Sequence, residues 1–174
     1  MKRLINVTLA TALLLLPMTA FAQKVMTDND PKAPFASYKT YGWGTGTASA
    51  NPFGEKRIHD GVDERMAKAG FKKVDANPDV IVATHAVTKE EKELSASGYR
   101  GGLRWGGGMG TASVMTYTYT VGSLVMDLYD AKTRQLVWRG TATDSLDDKP
   151  EKNAEKIVKA LDKMFKAYPP KVKK

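Results

Sequence analysis

Residues 122–140 read GSLVMDLYDAKTRQLVWRG, and this stretch decides the fold. Apolar and polar residues alternate on both sides of a polar segment at 131–134. That pattern predicts a β-hairpin with strands over 114–130 and 135–145. Because a hairpin joins antiparallel strands, the centre of the chain is predicted to form an antiparallel sheet.

The register of this hairpin follows from its apolar residues. Turning the apolar side chains of both strands to one face sets Leu128 opposite Trp138. The same register sets Asp127 opposite Arg139 on the other face. We therefore expect a cross-strand ion pair there, which contributes about 0.2–1 kcal/mol if it is solvated. Its first role is to hold the register.

A helix is predicted before the hairpin, between residues 51 and 70. Asn51 suits the N-cap, and Pro52 follows at the first helical position. Gly70 supplies a left-handed residue at the C-terminal end, from which Phe71 can fold back onto the helix. The apolar stripe of this helix consists of Ile58, Val62, Met66 and Ala69.

A second helix is predicted after the hairpin, beginning after Asp148. Pro150 lies in its first turn, and Glu151 is placed for a capping box. Prolines at 169–170 end the helix. Its apolar stripe consists of Ile157, Leu161, Met164 and Tyr168.

Further strands are predicted on the N-terminal side of the hairpin. Residues 79–94 open with VIVA at 80–83, which is apolar on both faces and predicts a central strand. The charged end at 89–93 is expected to project beyond the sheet or to turn. Residues 35–43 alternate as a strand, and residues 25–26 suit a short edge strand. The predicted fold class is α+β: an antiparallel sheet of four or five strands with two helices packed on one face.

The N-terminus has the pattern of an export signal. Lys2 and Arg3 precede an apolar run at 4–16, and small residues surround a cleavage position after Ala22. The run is too short to span a bilayer, so residues 1–22 are predicted to be a cleaved signal rather than a transmembrane anchor. The chain has no cysteine, which excludes disulfides and a lipid-modified cysteine. We expect one domain over 23–174, located in the periplasm or secreted.

The chain is basic, with a formal net charge of +8. Residues 23–174 contain 25 Lys and Arg against 19 Asp and Glu, a net charge of +6. In a bacterial envelope such a protein could meet an anionic membrane surface, the cell wall or another envelope protein. Nucleic acid is not an expected partner in that compartment.

At this point the residues resemble a known family. The run at 122–140 resembles the signature of the domain-of-unknown-function-4136 family. So do FASYKTYGW at 35–43, the Gly70-Phe71 helix end, DVIV at 79–82 and YPP at 168–170. The resemblance implies a bacterial envelope protein, often a lipoprotein, with no established activity or catalytic residues. This chain departs from the lipoprotein pattern because it lacks the acceptor cysteine, which favours a soluble periplasmic location.

Residues for catalysis or cofactor binding are few. The chain has neither a cysteine nor a Gly-x-Ser-x-Gly motif, and its two histidines, His59 and His85, lie in no catalytic-base pattern. No ligand spacing indicates a metal site. The glycine runs at 42–46 and 106–110 do not lead into helices, so they do not predict a nucleotide site. The expectation is a protein that is not an enzyme and binds no cofactor.

A Gly-rich loop at 95–113 is the first candidate binding site. Its aromatic side chains can stack on a ligand and its arginines can pair with anions, such as those of a sugar, a cell-wall fragment or a peptide. The alternative is a mobile connection without a ligand. The candidate residues are Tyr99, Arg100, Arg104 and Trp105.

A row of lysines on the second helix is the next candidate. Lys152, Lys156, Lys159, Lys163 and Lys166 fall within an arc of about 80° opposite the apolar stripe. They could dock the protein onto an anionic membrane or cell-wall polymer. The alternative is a solvated outer face of a packed helix.

The face of the sheet away from the helices is the third candidate. Around Asp127 and Arg139 it should present Val121, Val125, Tyr129 and Val137. Such a face could bind a partner, a second copy or an acyl chain, or the N-terminal segment could cover it.

The sequence therefore predicts an exported envelope protein that acts as a non-enzymatic binding or assembly module. One alternative is a small enzyme or ligand carrier that uses the Gly-rich loop. Another is a peripheral protein that docks through the lysines. The oligomeric state is left open.

Overall fold

In the computed structural model, which describes residues 23–97 and 113–170, a six-stranded mixed sheet carries two α-helices on one face. Its strand order is β1-β6-β5-β4-β2-β3. The elements are β1 (Lys24–Asn29), β2 (Thr40–Trp43), α1 (Pro52–Lys68), β3 (Lys72–Lys73), β4 (Val80–Ser97), β5 (Ser113–Asp130), β6 (Leu136–Ser145) and α2 (Pro150–Phe165).

The sheet differs from the prediction in strand number and direction. The sequence predicted four or five antiparallel strands, whereas the described residues form six. Strand β2 runs parallel to β4, with Tyr41 opposite Val80. The reason is that α1 lies between β2 and β4 in the chain and forms a crossover, which returns the chain in the same direction. The strand expected over 35–43 is also shorter, because Phe35–Ser37 form a 3-10 turn.

The register of the central hairpin is confirmed. Leu128 pairs with Trp138 and Asp127 with Arg139, and a bulge follows at Leu128/Tyr129. The tight turn after β5 is held by Asp130, whose Oδ1 accepts hydrogen bonds from the backbone N–H groups of residues 132 and 133 at 2.9 and 2.8 Å. The alternation of apolar residues thus predicted both the pairing and the face of each strand.

Helix α1 begins as predicted and ends one residue early. The Asn51 side chain accepts hydrogen bonds from the N–H groups of Phe53 and Gly54 at 2.9 and 3.3 Å. Gly70 has the expected left-handed backbone, with φ of 89°. The prediction that Ala69 belongs to the buried stripe is wrong, because Ala69 is the exposed C-cap residue. The buried apolar residues of α1 are Ile58, Val62 and Met66.

Helix α2 packs as predicted but is capped differently. Its N-cap is Lys149, and no side chain there accepts a capping hydrogen bond, so the predicted capping box with Glu151 is wrong. Instead, Asn153 accepts from the N–H of Asp147 at 2.8 Å and donates to its carbonyl at 2.6 Å. This exchange holds the loop between β6 and α2 against the first turn.

The hydrophobic core lies between the helices and the sheet. Val62 and Met66 of α1 and Leu161 and Met164 of α2 are fully buried against Trp138 and its neighbours on the central strands. Helix α1 has Gly61 at its contact with α2, where an added Cβ would lie 2.7 Å from Leu161 Cδ1. The glycine therefore permits the close approach of the two helices.

Strands β4 and β5 extend well beyond their neighbours. Their antiparallel pairing runs without interruption from Val80/Asp130 to Ser97/Ser113. Strand β6 pairs with β5 only as far as residue 121. The charged end of β4 thus projects beyond the sheet. This was one of the two alternatives that the sequence left open for residues 89–93.

Candidate functional site

Several predicted site residues lie outside the described ranges. Residues 1–22, which carry the predicted export signal, are among them. So are Tyr99, Arg100, Arg104 and Trp105 of the predicted Gly-rich loop. Their proposed roles therefore stay predictions.

The second candidate, the α2 lysine face (Lys152, Lys156, Lys159, Lys163 and Lys166), lies on the outer side of α2. These five lysines differ in the contacts that their ammonium groups make. Lys152 pairs with Asp147 at 3.1 Å, and Lys156 donates to the Ser145 carbonyl at 2.7 Å. Both contacts tie the N-terminal half of the helix to the β6–α2 loop.

The C-terminal half of the same face is more exposed. The Lys159 side chain is 67% exposed and lies 3.7 Å from Glu155, a surface pair that contributes little. Lys163 and Lys166 are also exposed. These three ammonium groups are the part of the α2 lysine face that can reach a docking surface.

The described chain begins against this face. The side-chain amide of Gln23 donates to the Lys156 carbonyl at 2.8 Å, and Lys163 Nζ lies 3.5 Å from the Gln23 carbonyl. Strand β1 then continues along the edge of the sheet beside β6. The first described residue therefore lies against the α2 lysine face, a placement that sequence reasoning missed because β1 and α2 are more than 120 residues apart.

The open face, defined as the sheet face without helices, carries an ion pair at its centre. Arg139 Nε and Nη2 donate to the two carboxylate oxygens of Asp127, each at 2.7 Å. The Tyr129 hydroxyl donates to Asp127 Oδ2 at 3.2 Å. This bidentate geometry is the strongest form of an arginine–carboxylate pair.

The two side chains of the ion pair differ in their exposure. The Asp127 side chain is 0% exposed, whereas the Arg139 side chain is 47% exposed. The hydrogen bonds to Asp127 raise the pKa of the Arg139 guanidinium above its ordinary value. Burial and the Asp127 charge raise the pKa of the Tyr129 phenol, so it stays neutral and keeps donating its proton. The contribution of about 0.2–1 kcal/mol given for a solvated pair therefore does not apply to the buried carboxylate.

His85 lies beside this ion pair. Its Nδ1 is 3.0 Å from Thr47 Oγ1, and its Nε2 is 3.9 Å from Asp127 Oδ2. Although Thr47, His85 and Asp127 are in a row, 3.9 Å exceeds hydrogen-bond length. Both oxygens of Asp127 are already bonded to Arg139 and Tyr129. The geometry is that of a structural cluster rather than of a proton relay.

The other histidine lies on the opposite side of the sheet. His59 of α1 stacks on Trp43 at 3.9 Å between ring centroids, and its Nε2 lies 3.0 Å from Glu55. These contacts join α1 to β2. The structure therefore keeps the two histidines on different faces.

The open face is partly apolar. Val125 and Tyr129 are half-buried there, with Met26 exposed on the neighbouring edge strand. Val137, which was also predicted on this face, is only 3% exposed and is part of the buried hydrophobic cluster. The described N-terminal segment does not cross the face but pairs along its edge as β1.

A shallow groove of about 500 Å³ lies on the outer side of the helices, between α1 and α2. Its lining combines Gly61, Ala154 and Val158 with charged residues of both helices. Below it, Arg65 is buried and donates to Asp162 at 2.8 and 3.0 Å. The guanidinium of the buried Arg65 therefore both lines the groove and joins the two helices.

Two further properties concern the described part of the chain. No helix within residues 23–97 and 113–170 has the length and apolarity needed to cross a membrane. Among the same residues, no three His, Cys, Asp or Glu side chains come together as a metal site would require.

The described elements form an α+β domain, in which two helices cover one face of a six-stranded mixed sheet. The family defined by a domain of unknown function (DUF4136) matches residues 25–170, which is most of the chain. The chain belongs to this family. A search of curated protein sequences found no match.

Comparison with solved structures gives distant likenesses. A PDZ domain protein from Parabacteroides distasonis superposes with a TM-score of 0.57 at 17% identity, over 86% of this chain. The match spans only 36% of that protein's length. PelC from Paraburkholderia phytofirmans, a dodecamer, gives a TM-score of 0.48 at 15% identity, covering 83% of this chain and 98% of PelC. At these identities the likeness to the PDZ domain protein shows the fold alone.

Proposed function

We propose that this chain is an exported protein of the bacterial envelope that acts by binding rather than by catalysis. We propose further that it docks onto an anionic lipid bilayer through the α2 lysine face. The export-signal pattern at 1–22, membership of the family and the net charge of +6 over 23–174 support the first part. The second part rests on geometry.

One observation carries the docking proposal: the residue that follows the predicted signal lies against the α2 lysine face. Gln23, the first residue after the predicted signal, contacts Lys156 and Lys163 on α2. While a signal at 1–22 held the chain at the membrane, the folded domain would therefore have this helix near the lipid surface.

The expected strength of docking is moderate. A lysine near an anionic leaflet contributes about 1 kcal/mol. Three exposed lysines would therefore contribute about 3 kcal/mol, or about a hundredfold in the binding constant. Because the Debye length is about 8 Å at physiological ionic strength, this attraction should weaken steeply as salt is added.

The test is co-sedimentation of residues 23–174 with vesicles of phosphatidylethanolamine, with and without phosphatidylglycerol, across a salt series. The variant carries Lys159→Gln, Lys163→Gln and Lys166→Gln. The control carries the same charge change on other elements, as Lys56→Gln on α1 and Lys89→Gln and Lys92→Gln on β4; these three lysines are exposed.

We expect salt-sensitive binding to the phosphatidylglycerol vesicles by the native protein and the control, and its loss in the α2 variant. Equal loss in both variants would mean that net charge, and not this face, drives binding. Binding to purified cell wall but not to vesicles would overturn the choice of lipid.

A further inference from the structure

The side chain of Gln23 is held against helix α2. Its amide nitrogen Nε2 donates a hydrogen bond to the Lys156 carbonyl at 2.8 Å, and its amide oxygen Oε1 is buried from solvent. The Gln23 carbonyl lies 3.5 Å from Lys163 Nζ. The first residues of most domains are poorly ordered unless such contacts tie them down. Gln23 is therefore a fixed part of the folded domain.

A glutamine at the N-terminus of a chain has a reaction that an internal glutamine lacks. Its free α-amine can attack the side-chain carbon Cδ, which forms a C–N bond and closes a five-membered lactam. The Cδ–Nε2 bond breaks, and the proton of the attacking amine goes to the departing ammonia. The product, pyroglutamate, has lost one nitrogen and, like an acetylated terminus, the positive charge of the α-amine. Cleavage after Ala22, which belongs to the proposed export, would make Gln23 such a residue.

The observed position of the Gln23 side chain opposes this reaction at both atoms of its amide. The leaving atom, Nε2, is the donor to the Lys156 carbonyl, so that hydrogen bond must break before the lactam can form. Attack on Cδ places negative charge on Oε1 in the transition state, and such a charge needs a hydrogen-bond donor. No group in residues 23–97 or 113–170 donates to Oε1, and its burial excludes water.

We propose that helix α2 protects Gln23 from cyclisation, so that the exported protein keeps a free α-ammonium group at its N-terminus. An α-amine is mostly protonated at neutral pH. It therefore adds a positive charge in the residue that contacts Lys163, next to the exposed lysines of the α2 lysine face. This inference rests on the proposed function, because it assumes export and cleavage after Ala22, and it describes how the charge of the docking surface is preserved.

The first test measures cyclisation as the loss of ammonia by mass spectrometry. The chain 23–174, prepared with Gln23 as its first residue, is compared with a peptide of residues 23–34 at the same pH and temperature. We expect the folded chain to cyclise roughly tenfold more slowly, as the need to break one hydrogen bond implies. Equal rates would overturn the proposal. Since no vesicles are present, the result is independent of whether the domain docks onto lipid.

Two substitutions on β1 test whether the packing of the strand causes the protection. Val25 packs against the core, whereas the Met26 side chain is 53% exposed. Val25→Ser should loosen the start of β1 and raise the cyclisation rate toward that of the peptide. Met26→Ser, one residue further along, should leave the rate unchanged. Equal rates in the two variants would contradict protection by the packed strand.

A third measurement detects the contact apart from the reaction. The sequence contains two glutamines, Gln23 and Gln135, and Gln135 is exposed. Isotope-labelled glutamine therefore gives two side-chain amide signals in an NMR spectrum of the chain 23–174. We expect the amide hydrogens of Gln23 to exchange with solvent more slowly than those of Gln135, because the Gln23 amide is hydrogen-bonded and partly buried. Exchange at the same rate would overturn the proposal, since the side chain would then not be held by α2.

Discussion

At the scale of single residues, the stability of the buried Asp127 carboxylate depends on its hydrogen-bond partners. It lies on the open face yet is 0% exposed, and its two oxygens accept hydrogen bonds from Arg139 and Tyr129. A buried charge of this kind is stable only while its partner is present. Arg139, by contrast, is half exposed and can be solvated without Asp127.

This asymmetry leads to a prediction for the two sides of the pair. Arg139→Ala should lower the free energy of unfolding by about 3 kcal/mol at neutral pH, because it leaves the carboxylate buried and unpaired. Asp127→Asn should cost less, because it removes the buried charge itself. Urea unfolding of both variants measures the difference. Equal losses in the two variants would contradict this account.

At the scale of elements, the two helices are joined by one buried arginine. Arg65 of α1 has a side chain only 7% exposed, and it donates to Asp162 of α2. It also donates to the Gly61 carbonyl of its own helix at 2.9 Å and to the Val158 carbonyl of α2 at 3.2 Å. The same guanidinium thus satisfies groups on both helices where Gly61 lets them approach.

Substitutions of Arg65 and Asp162 should lower the free energy of unfolding by different amounts. Arg65→Ala should cost about 2–4 kcal/mol, since it removes packing and leaves buried acceptors without a donor. Asp162→Asn should cost about 1 kcal/mol or less, because the Asp162 side chain is 56% exposed and the carbonyl contacts remain. Thermal unfolding of both variants distinguishes them. Equal losses would mean that the salt bridge, rather than the buried guanidinium, joins the helices.

At the scale of the whole molecule, carboxylates hold strand β2 in its place in the sheet. Burial raises the pKa of Asp63, but hydrogen bonds from Lys73, Tyr41 and Trp43 outweigh this effect and hold that pKa below its ordinary value. These bonds tie β2 and β3 to α1.

A second carboxylate joins the starts of β2 and β4. Asp79 Oδ2 accepts hydrogen bonds from the N–H groups of Lys39 and Thr40 and from the Thr40 hydroxyl, each at 2.9 Å. The hydrogen bond from the Lys39 backbone, followed by those of Thr40, lowers the pKa of Asp79. These hydrogen bonds therefore join the parallel strands β2 and β4 at their N-terminal ends.

Because folding lowers the pKa of both carboxyl groups, the stability of the domain should depend on pH. A carboxyl with a lowered folded-state pKa stabilises the fold above its unfolded-state pKa of about 3.9, and that contribution is lost as pH falls through the folded-state value. We therefore expect the melting temperature to fall as the pH drops below about 4. Asp79→Asn should lower stability at neutral pH and flatten this acid dependence; an unchanged acid slope would contradict the role of Asp79.

The fold was predictable where the signal is local. The alternation around Leu128 and Trp138 set both the register of the hairpin and the pairing of Asp127 with Arg139, because side chains alternate between faces at every residue. Asn51 and Gly70 marked the ends of α1 through hydrogen bonding and backbone conformation in their own neighbourhood. These features depend on residues a few positions apart.

The candidate sites were less predictable, since they combine distant segments. The lysines of α2 could be placed on one face from helical spacing, but the hydrogen bond that holds Lys156 and the docking of Gln23 could not. Nor did any pattern bring His85 and Thr47 beside Asp127. Side chains from separate strands meet there because of the order of strands in the sheet.

The sequence by itself therefore determined the two helices, the central hairpin and its register, and the family. Only the tertiary structure decided that β2 runs parallel to β4, that Asp127 is buried, and that Gln23 lies against the α2 lysine face. The physical reason is the range of the interactions. Periodicity and capping act within a few residues, whereas strand direction, burial and contacts between segments depend on how the whole chain packs around one core.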